Sequence, residues 1–467
     1  MGTRGAPLWF LWGVVGASLT ACIAILCARP KILVVITLTS VLFGQAVSQV
    51  VTHPVVAAAD DALVALTIVY LPVLRLVKGQ TLRRPPGTFL WFGVIVLGVL
   101  GGLVNGVSIT YSFGGAYLVM KGPLFGYAVA QVAWAKDDVA RLLSWSVRLA
   151  VLIVLCASAN MLAPSVWSSL LSNTGVAGYR SSTLPSLIGP FVHPSFLAQI
   201  SGLCAIAILA NGQLSRNSRF ALVSGLLAAG LLSFRKKSLI SLPLGMLVSR
   251  SSWRAAWFWV AALPVAIVAV LANIAPIERF VRLTYNTYFR SAETSSPRVA
   301  LYQGAVELAS RDFPLGAGFS RWGSQLAKEQ YSIEYIRAGF AAFDGLNPSD
   351  MRYATDTFWP IILGETGVLG LCAYTAALVV CWRFFSEMTS SQRAHIKVLG
   401  SVGRGWMALL IVESLAAPVF LGPPTFVWLF ALVGLSTALQ MGDPPVLTEP
   451  AEGAGRMGAG LVNSAKE

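Results

Sequence analysis

Long apolar stretches dominate this chain, and short polar or basic segments separate them. A helix that spans a membrane needs about 20 apolar residues, and most of the stretches are close to that length. The predicted spans cover residues 8–28, 32–52, 59–77, 88–107, 113–135, 143–163, 195–212, 219–234, 238–250, 255–274, 358–382, 398–418 and 424–441. The pattern therefore predicts an all-α polytopic membrane protein with about 12–13 transmembrane helices.

Two longer polar segments, residues 164–194 and about 275–357, interrupt the apolar pattern. We expect a single transmembrane domain over residues 1–441, with the second segment inserted as a large loop domain. Residues 442–467 are rich in Gly, Pro, Ala and Glu, which predicts a disordered cytoplasmic tail. The first apolar stretch lacks a clear cleavage site and is interpreted as the first helix.

The charge pattern predicts which side of the membrane each loop faces. Hydrophobic residues make up 56% of the chain and charged residues 12%, with a net charge of +14. Basic residues collect in cytoplasmic loops, so this charge needs no nucleic-acid partner. The spans place these basic loops on one side: Arg29/Lys31, Arg75 to Arg84, Lys136 to Arg148, Arg216/Arg219, Arg250/Arg254 and Arg383 to Lys397. That side is predicted to be the cytoplasm, and both long polar segments then face outward.

The cluster Arg235-Lys236-Lys237 departs from this rule, because the predicted spans place it on the outer side. Two interpretations remain open. Either a span has been missed and the three cations are ordinary cytoplasmic anchors, or two short helices hold them at the outer membrane boundary. In the second case they would form a phosphate site, with Arg offering bidentate donors and Lys a point charge.

The first outer segment contains a second candidate, His193, which precedes Pro194 at the predicted start of a helix. His193 either caps or orders the loop, or it contacts a sugar or phosphate at the membrane surface. Arg180 belongs to the same segment and is predicted to point into the same pocket.

In the large loop, arginines alternate with aromatic residues. Arginines bind phosphate and aromatic rings stack on sugars, so the substrate-binding candidates here are Arg298, Arg321, Tyr331 and Tyr335. Simple packing of the loop is the alternative for each aromatic residue. The segment Arg298–Ser310 has apolar residues at helical spacing, and Phe313–Phe319 is a turn punctuated by glycines.

Asp356 is the candidate general base. It lies where the large loop enters the membrane, between water and a low-dielectric wall that can tune its pKa. The alternative is that Asp356 caps the following helix. Glu365, inside that helix, is expected to be structural and hydrogen-bonded within the bundle of membrane helices. The sequence contains no D-x-D, HExxH, Walker motif or nucleophile elbow, so we expect no cofactor and no metal site.

These segments together resemble one family, the bacterial O-antigen ligase and Wzy-type polysaccharide polymerase superfamily. The matching residues follow in the family's order over roughly residues 110–385: Gly189, His193-Pro194-Ser195, Ala198, Arg235, Arg298, Pro314 to Gly318, Asp356-Thr357, Glu365-Thr366-Gly367 and Gly370-Leu371. Ser195 and Thr357 stand where the family commonly has Asn. Asp356 replaces the histidine typical of the ligases, which favours a polymerase.

The resemblance implies an inverting, metal-independent glycosyltransferase of the GT-C class in the bacterial inner membrane, with its active site on the extracytoplasmic face. The implied donor is a glycan on undecaprenyl pyrophosphate, and the acceptor is a hydroxyl of a second lipid-linked oligosaccharide. Asp356 and Arg235 would be catalytic; Lys236, Lys237, Arg180, His193, Arg298, Arg321, Tyr331 and Tyr335 would bind substrate. Membrane lipid, a chain-length regulator and a flippase are the further partners that this reading implies.

Three alternatives stay open. A ligase would transfer a finished glycan to another acceptor. A transporter of lipid-linked oligosaccharide should carry charges along a central cavity, whereas the mid-helix charges here are few, chiefly Glu365 and Glu413. A non-catalytic scaffold of an export complex would tolerate replacement of Asp356 and Arg235.

Overall fold

The computed structural model describes residues 28–51, 53–171, 185–235, 237–249 and 297–442. The predicted span 255–274, nearly all of the span 8–28 and the tail from residue 443 lie outside these ranges, as do Arg180 and Lys236. Within the described ranges the chain is all-α, which confirms the predicted fold class.

The helices follow the predicted apolar stretches closely. They are α1 (Pro30–Val50), α2 (Pro54–Val77), α3 (Thr88–Val104), α4 (Ile109–Ala130), α5 (Lys136–Leu162), α6 (Pro164–Leu171), α7 (Pro194–Ala210), α8 (Arg216–Leu231), α9 (Ser238–Ser249), α10 (Pro297–Arg311), α11 (Gln325–Glu329), α12 (Ile333–Arg337), α13 (Trp359–Met388), α14 (Ala394–Ser414) and α15 (Phe426–Met441). Four of them, α1, α5, α13 and α14, are long and apolar enough to cross a membrane. The larger count of spans stays a prediction.

Contacts between helices separate two ends of the bundle. The basic end carries Lys31 paired with Asp138 at 2.7 Å, and Arg83 donating to the carbonyls of Ala130 and Val132. The opposite end, called the site end below, carries the starts of α4, α7, α9 and α13 and the ends of α3, α8 and α14. The cations that the sequence assigns to the cytoplasm therefore share one end of the described structure, except Arg250 and Arg254, which lie outside it.

Glycines let the membrane helices approach closely, as small residues do in membrane bundles. A side chain at Gly126 of α4 would meet the backbone of Phe430 in α15, with 2.6 Å to its carbonyl oxygen. At Gly403 of α14 it would meet the ring of Phe385 in α13. This packing fixes α13 and α14 side by side, and their site ends carry the functional candidates.

The large loop forms a small helical domain with its own core. Trp322, Tyr335 and Phe340 are buried together, and the centroids of the Trp322 and Tyr335 rings lie 5.4 Å apart. The predicted amphipathic helix is confirmed as α10, whose buried positions Ala300, Leu301 and Leu308 face this core.

The glycine-punctuated turn docks the loop domain onto α13. Gly316 and Gly318 have positive φ, and Ala317 and Gly318 donate backbone hydrogen bonds to the carbonyls of Gly364 and Glu365 at 2.9 and 3.0 Å. Helix α13 is kinked where it receives this turn, at Gly367 (φ 66°, ψ −169°). Only glycine adopts that backbone conformation readily.

Candidate functional site

Five predicted residues from four separate segments meet at the site end of the bundle. They are His193, Arg235, Lys237, Arg298 and Asp356, called the site cluster below. Three are cations, and their neighbours are the carboxylates of Asp356 and Glu413. Lys237 reaches the same end of the bundle as α10 and the large loop, away from the basic end, whereas its position at the outer membrane boundary stays a prediction.

His193 is held in place by a buried turn. Asn160 of α5 is 2% exposed, and its Oδ1 accepts hydrogen bonds from the backbone N–H groups of Ile188 and Gly189. Gly189 has φ 57°, which suits glycine at this turn. His193 then caps α7, since its Nδ1 accepts a hydrogen bond from Ser195 N at 3.2 Å. The predicted capping role is confirmed.

This cap fixes the proton of the neutral imidazole. A neutral histidine carries one N–H, so the acceptor Nδ1 leaves the proton on Nε2. Nε2 lies 3.2 Å from Nη2 of Arg235, which is also a donor. Two donors at this distance can both donate to one acceptor, such as a phosphate oxygen, that lies against them. The capping and ligand roles of His193 are thus compatible.

Arg235 follows a strained residue at the end of α8. Phe234 has φ 52°, a left-handed backbone conformation that costs a non-glycine residue about 1–2 kcal/mol. Such strain often persists at functional sites, where the surrounding structure overdetermines it. Here it turns the chain from α8 into α9 and presents Arg235 to His193.

Arg298 and Asp356 form the second half of the site cluster. Nη2 of Arg298 lies 2.7 Å from Oδ2 of Asp356, and the two side chains are 39% and 33% exposed. Among the residues that the structure describes, Oδ1 of Asp356 has no hydrogen-bond partner. The predicted capping role of Asp356 is wrong, because α13 begins at Trp359 and its N-cap is Phe358, which makes no side-chain capping bond. The carboxylate is turned toward Arg298 instead.

The end of α14 ties these segments together. Ser414 accepts a hydrogen bond from Trp359 at 3.0 Å, the carbonyl of Leu415 accepts from Tyr302 at 3.1 Å, and that of Ala416 accepts from Lys237 at 3.4 Å. Carbonyls at a helix C-terminus carry partial negative charge and favour nearby cations. One helix end therefore sets the relative positions of α9, α10 and α13.

Three predicted substrate-binding residues lie elsewhere in the loop domain. Arg321 donates from its backbone N–H to Glu365, and its Nη2 reaches the carbonyl of Asn105 at 3.4 Å. Tyr335 is fully buried, and its hydroxyl accepts a hydrogen bond from Gly323 N at 2.8 Å, so it packs the core rather than offering a surface for sugar. Tyr331 packs beside it, with ring centroids 5.7 Å apart.

Glu365 also serves the loop domain. Its Oε1 accepts from the backbone N–H groups of Arg321 and Trp322 and from the hydroxyl of Ser324, at 3.0, 3.2 and 2.6 Å. The expectation of a structural role is met, with one difference: these donors come from the loop rather than from neighbouring membrane helices.

Sequence reasoning missed two polar groups at the site end, Glu413 and Tyr302. Glu413 was visible only as an acid in an apolar stretch, and the sequence does not reveal that it faces Lys237. Sequence reasoning also missed an ion pair between two helices of the bundle, in which Nζ of Lys121 lies 2.7 Å from Oδ1 of Asp61. Within the described ranges, no group of three or more His, Cys, Asp and Glu residues is arranged to hold a metal.

Comparisons with known proteins show no family for this chain. No protein-family model and no curated protein matches it. Among solved structures, it is similar to a chain described in a study of how a peptidoglycan synthase complex coordinates polymerization and crosslinking. The sequence identity is 16% and the TM-score 0.39, over 76% of this chain and 95% of the other.

Proposed function

We propose that this protein is an inverting, metal-independent glycosyltransferase that joins lipid-linked oligosaccharides at the outer face of the bacterial inner membrane. One observation carries the proposal: the Arg298–Asp356 pair and the Arg235–His193 contact lie at the same end of the bundle, beside Lys237. Phosphate ligands and a carboxylate base would then share one site. The order of motifs that resembles the O-antigen ligase and Wzy-type polymerase superfamily supports it.

The cations would stabilise the leaving group. As the bond between the anomeric carbon and the pyrophosphate oxygen breaks, its electron pair stays with the pyrophosphate and negative charge grows there. Arg235, the Nε2–H of His193 and Lys237 offer donors in a site of low dielectric, where such stabilisation is strongest. Three cations against the carboxylates of Asp356 and Glu413 leave the cluster with a net charge of +1 for this anion.

Asp356 would activate the acceptor. The acceptor hydroxyl oxygen forms the new bond to the anomeric carbon, and its proton passes to Oδ1 of Asp356. Arg298 holds Oδ2 and so orients the carboxylate, which keeps the base in reach of the hydroxyl. An attack from the face opposite the pyrophosphate inverts the anomeric centre. Lys236 and Arg180 remain proposed ligands of the donor.

Asp356 in place of histidine favours a polymerase, whose acceptor is a second lipid-linked oligosaccharide. A flippase and a chain-length regulator are the proposed partners of that reaction. A ligase would use the same donor site with a different acceptor.

The test is extension of the native undecaprenyl-pyrophosphate-linked oligosaccharide by purified protein in nanodiscs with EDTA. A ladder of longer lipid-linked glycans is the expected result. A single transfer to a different acceptor would show a ligase instead. No extension and no transfer by the wild type would overturn the proposal in favour of a transporter or scaffold.

A further inference from the structure

Glu413 is a fully buried carboxylate next to the site cluster, and the proposed reaction assigns it no step. Its Oε1 accepts hydrogen bonds from the hydroxyls of Ser238 and Ser241 at 3.0 and 2.8 Å. Its Oε2 lies 3.0 Å from both Nε2 of Gln199 and Nζ of Lys237. Each oxygen therefore has two donors, which α7, α9 and the segment before α9 supply.

Burying the charges of Glu413 and Lys237 costs free energy, so the pair calls for an explanation other than stability. A buried ion pair often contributes no more stability than apolar residues of the same volume, because both ions lose their hydration. Lys237 has a further difficulty, since the positive charges of Arg298 and Arg235 oppose its own. Glu413 is the counter-charge that lets a third cation stay beside two arginines.

We propose that Glu413 is a positioning residue of the phosphate site, which keeps Lys237 protonated and aimed at the leaving pyrophosphate. The inference rests on the proposed function for the identity of the anion. Lys237 is 19% exposed, so its ammonium reaches the site while Glu413 and the carbonyl of Ala416 hold it from below. Ser238, Ser241 and Gln199 fix the carboxylate itself.

The proposed role can be measured through the pH at which Lys237 loses its proton. Burial lowers the pKa of Lys237, the nearby Arg298 and Arg235 lower it further, and Glu413 raises it. Removal of the Glu413 charge therefore lowers this pKa, and Lys237 loses its proton at a lower pH. Of the other groups around the cluster, Asp356 faces Arg298 and His193 faces Arg235, while burial raises the pKa of Tyr302.

The test is the affinity for inorganic pyrophosphate as a function of pH, measured by calorimetry on the full-length protein in nanodiscs. We expect wild-type affinity to fall at alkaline pH as Lys237 deprotonates. In Glu413→Gln the fall should move about 1–3 pH units lower, the shift that a neighbouring opposite charge produces. In Glu413→Gln/Lys237→Arg it should disappear, because arginine stays protonated.

Two further variants keep the outcome clear. Lys237→Arg alone should also abolish the alkaline fall, and it leaves the buried carboxylate paired in case Glu413→Gln does not fold. Asp61→Asn is the control, since it breaks another Lys–carboxylate pair, Lys121–Asp61, away from the site cluster and should leave the profile where it is in the wild type.

A profile that is unchanged in Lys237→Arg, or in a folded Glu413→Gln variant, would overturn the inference. This readout is independent of turnover. A wild type that extends no glycan, yet shows the Lys237-dependent profile, would contradict the proposed reaction and leave the positioning role of Glu413 intact.

Discussion

His193 has a structural role in the described chain and a second, proposed role in binding the leaving group. Its Nδ1 caps α7 through Ser195, and the same bond directs the Nε2 proton toward Arg235. The two functions use different atoms, so substitutions can separate them. Asn is a good N-cap but offers no donor at the position of Nε2.

We expect His193→Asn to keep wild-type thermal stability and to lose about tenfold or more of the transfer rate, because one donor to the leaving group is gone. His193→Ala should lose the same activity and also about 1 kcal/mol of stability with the cap. Melting curves in detergent and initial rates of glycan extension measure both. Full activity in His193→Asn would show that the histidine only caps the helix.

The residues of the site were partly readable from the sequence, for physical reasons that differ from one residue to another. Arg235 and Lys237 stood out because they break the charge rule for loops, and Asp356 because it precedes a membrane helix. Glu413 did not stand out as a site residue, because the neighbours of a side chain within an apolar helix depend on how the helices pack. Tyr335 misled for a related reason: the sequence cannot distinguish an aromatic residue that packs a loop core from one that stacks on sugar.

At the scale of elements, the contact between the glycine turn and the kink of α13 connects the loop domain to the membrane bundle. A side chain at Gly367 would meet the carbonyl oxygen of Pro314. The residues that follow this turn, 321–324, donate three hydrogen bonds to Glu365 of α13. Arg298 lies on α10, which precedes this turn, and Asp356 lies in the segment just before α13, so the contact helps to hold the two side chains together.

Gly367→Ala should therefore destabilise the protein by about 3 kcal/mol or more, since a new Cβ clashes with backbone and the φ of 66° is strained for alanine. The matched control is Gly79→Ala, where φ is 68° and nothing lies within 4 Å of the added Cβ. It should cost only about 1–2 kcal/mol. Thermal unfolding of both variants tests this, and equal losses would contradict the role of the close contact.

Helix positions were the easiest elements to predict. The apolar stretches correspond to α1–α5, α7–α9 and α13–α15, because burial in lipid requires length and hydrophobicity together. The boundary of α14 was placed too late. Its predicted span ended at residue 418, but the helix ends at Ser414 and Pro418 follows in an irregular segment. The carbonyls of Leu415 and Ala416, just after the end of the helix, accept hydrogen bonds from Tyr302 and Lys237.

At the scale of the whole molecule, the two ends of the bundle differ in the way their charges are used. The basic end satisfies its cations with backbone carbonyls and with Asp138, whereas the site end gathers three cations around the carboxylates of Asp356 and Glu413. The basic end is the predicted cytoplasmic face. The large loop and the site cluster then face outward.

This orientation predicts the labelling of two engineered cysteines. Ser349→Cys lies in the large loop and should react with an impermeant maleimide added to intact cells. Gln392→Cys lies between α13 and α14 at the basic end, and should react only after the cells are opened. Both positions are exposed on the protein surface, so a difference in labelling reports the side of the membrane and not burial of the residue. The reverse pattern would place the site on the cytoplasmic face.

The most direct test of the proposed chemistry compares two aspartates of the large loop in the glycan-extension assay. Asp356 pairs with Arg298 at 2.7 Å and is 33% exposed; Asp350 pairs with Arg352 at 2.6 Å and is 32% exposed. Loss of a general base lowers the rate by about 10²–10⁴-fold, so Asp356→Asn should produce almost no ladder while Asp350→Asn extends the glycan as the wild type does. A folded Asp356→Asn protein that still makes the full ladder would show that this carboxylate is not the base.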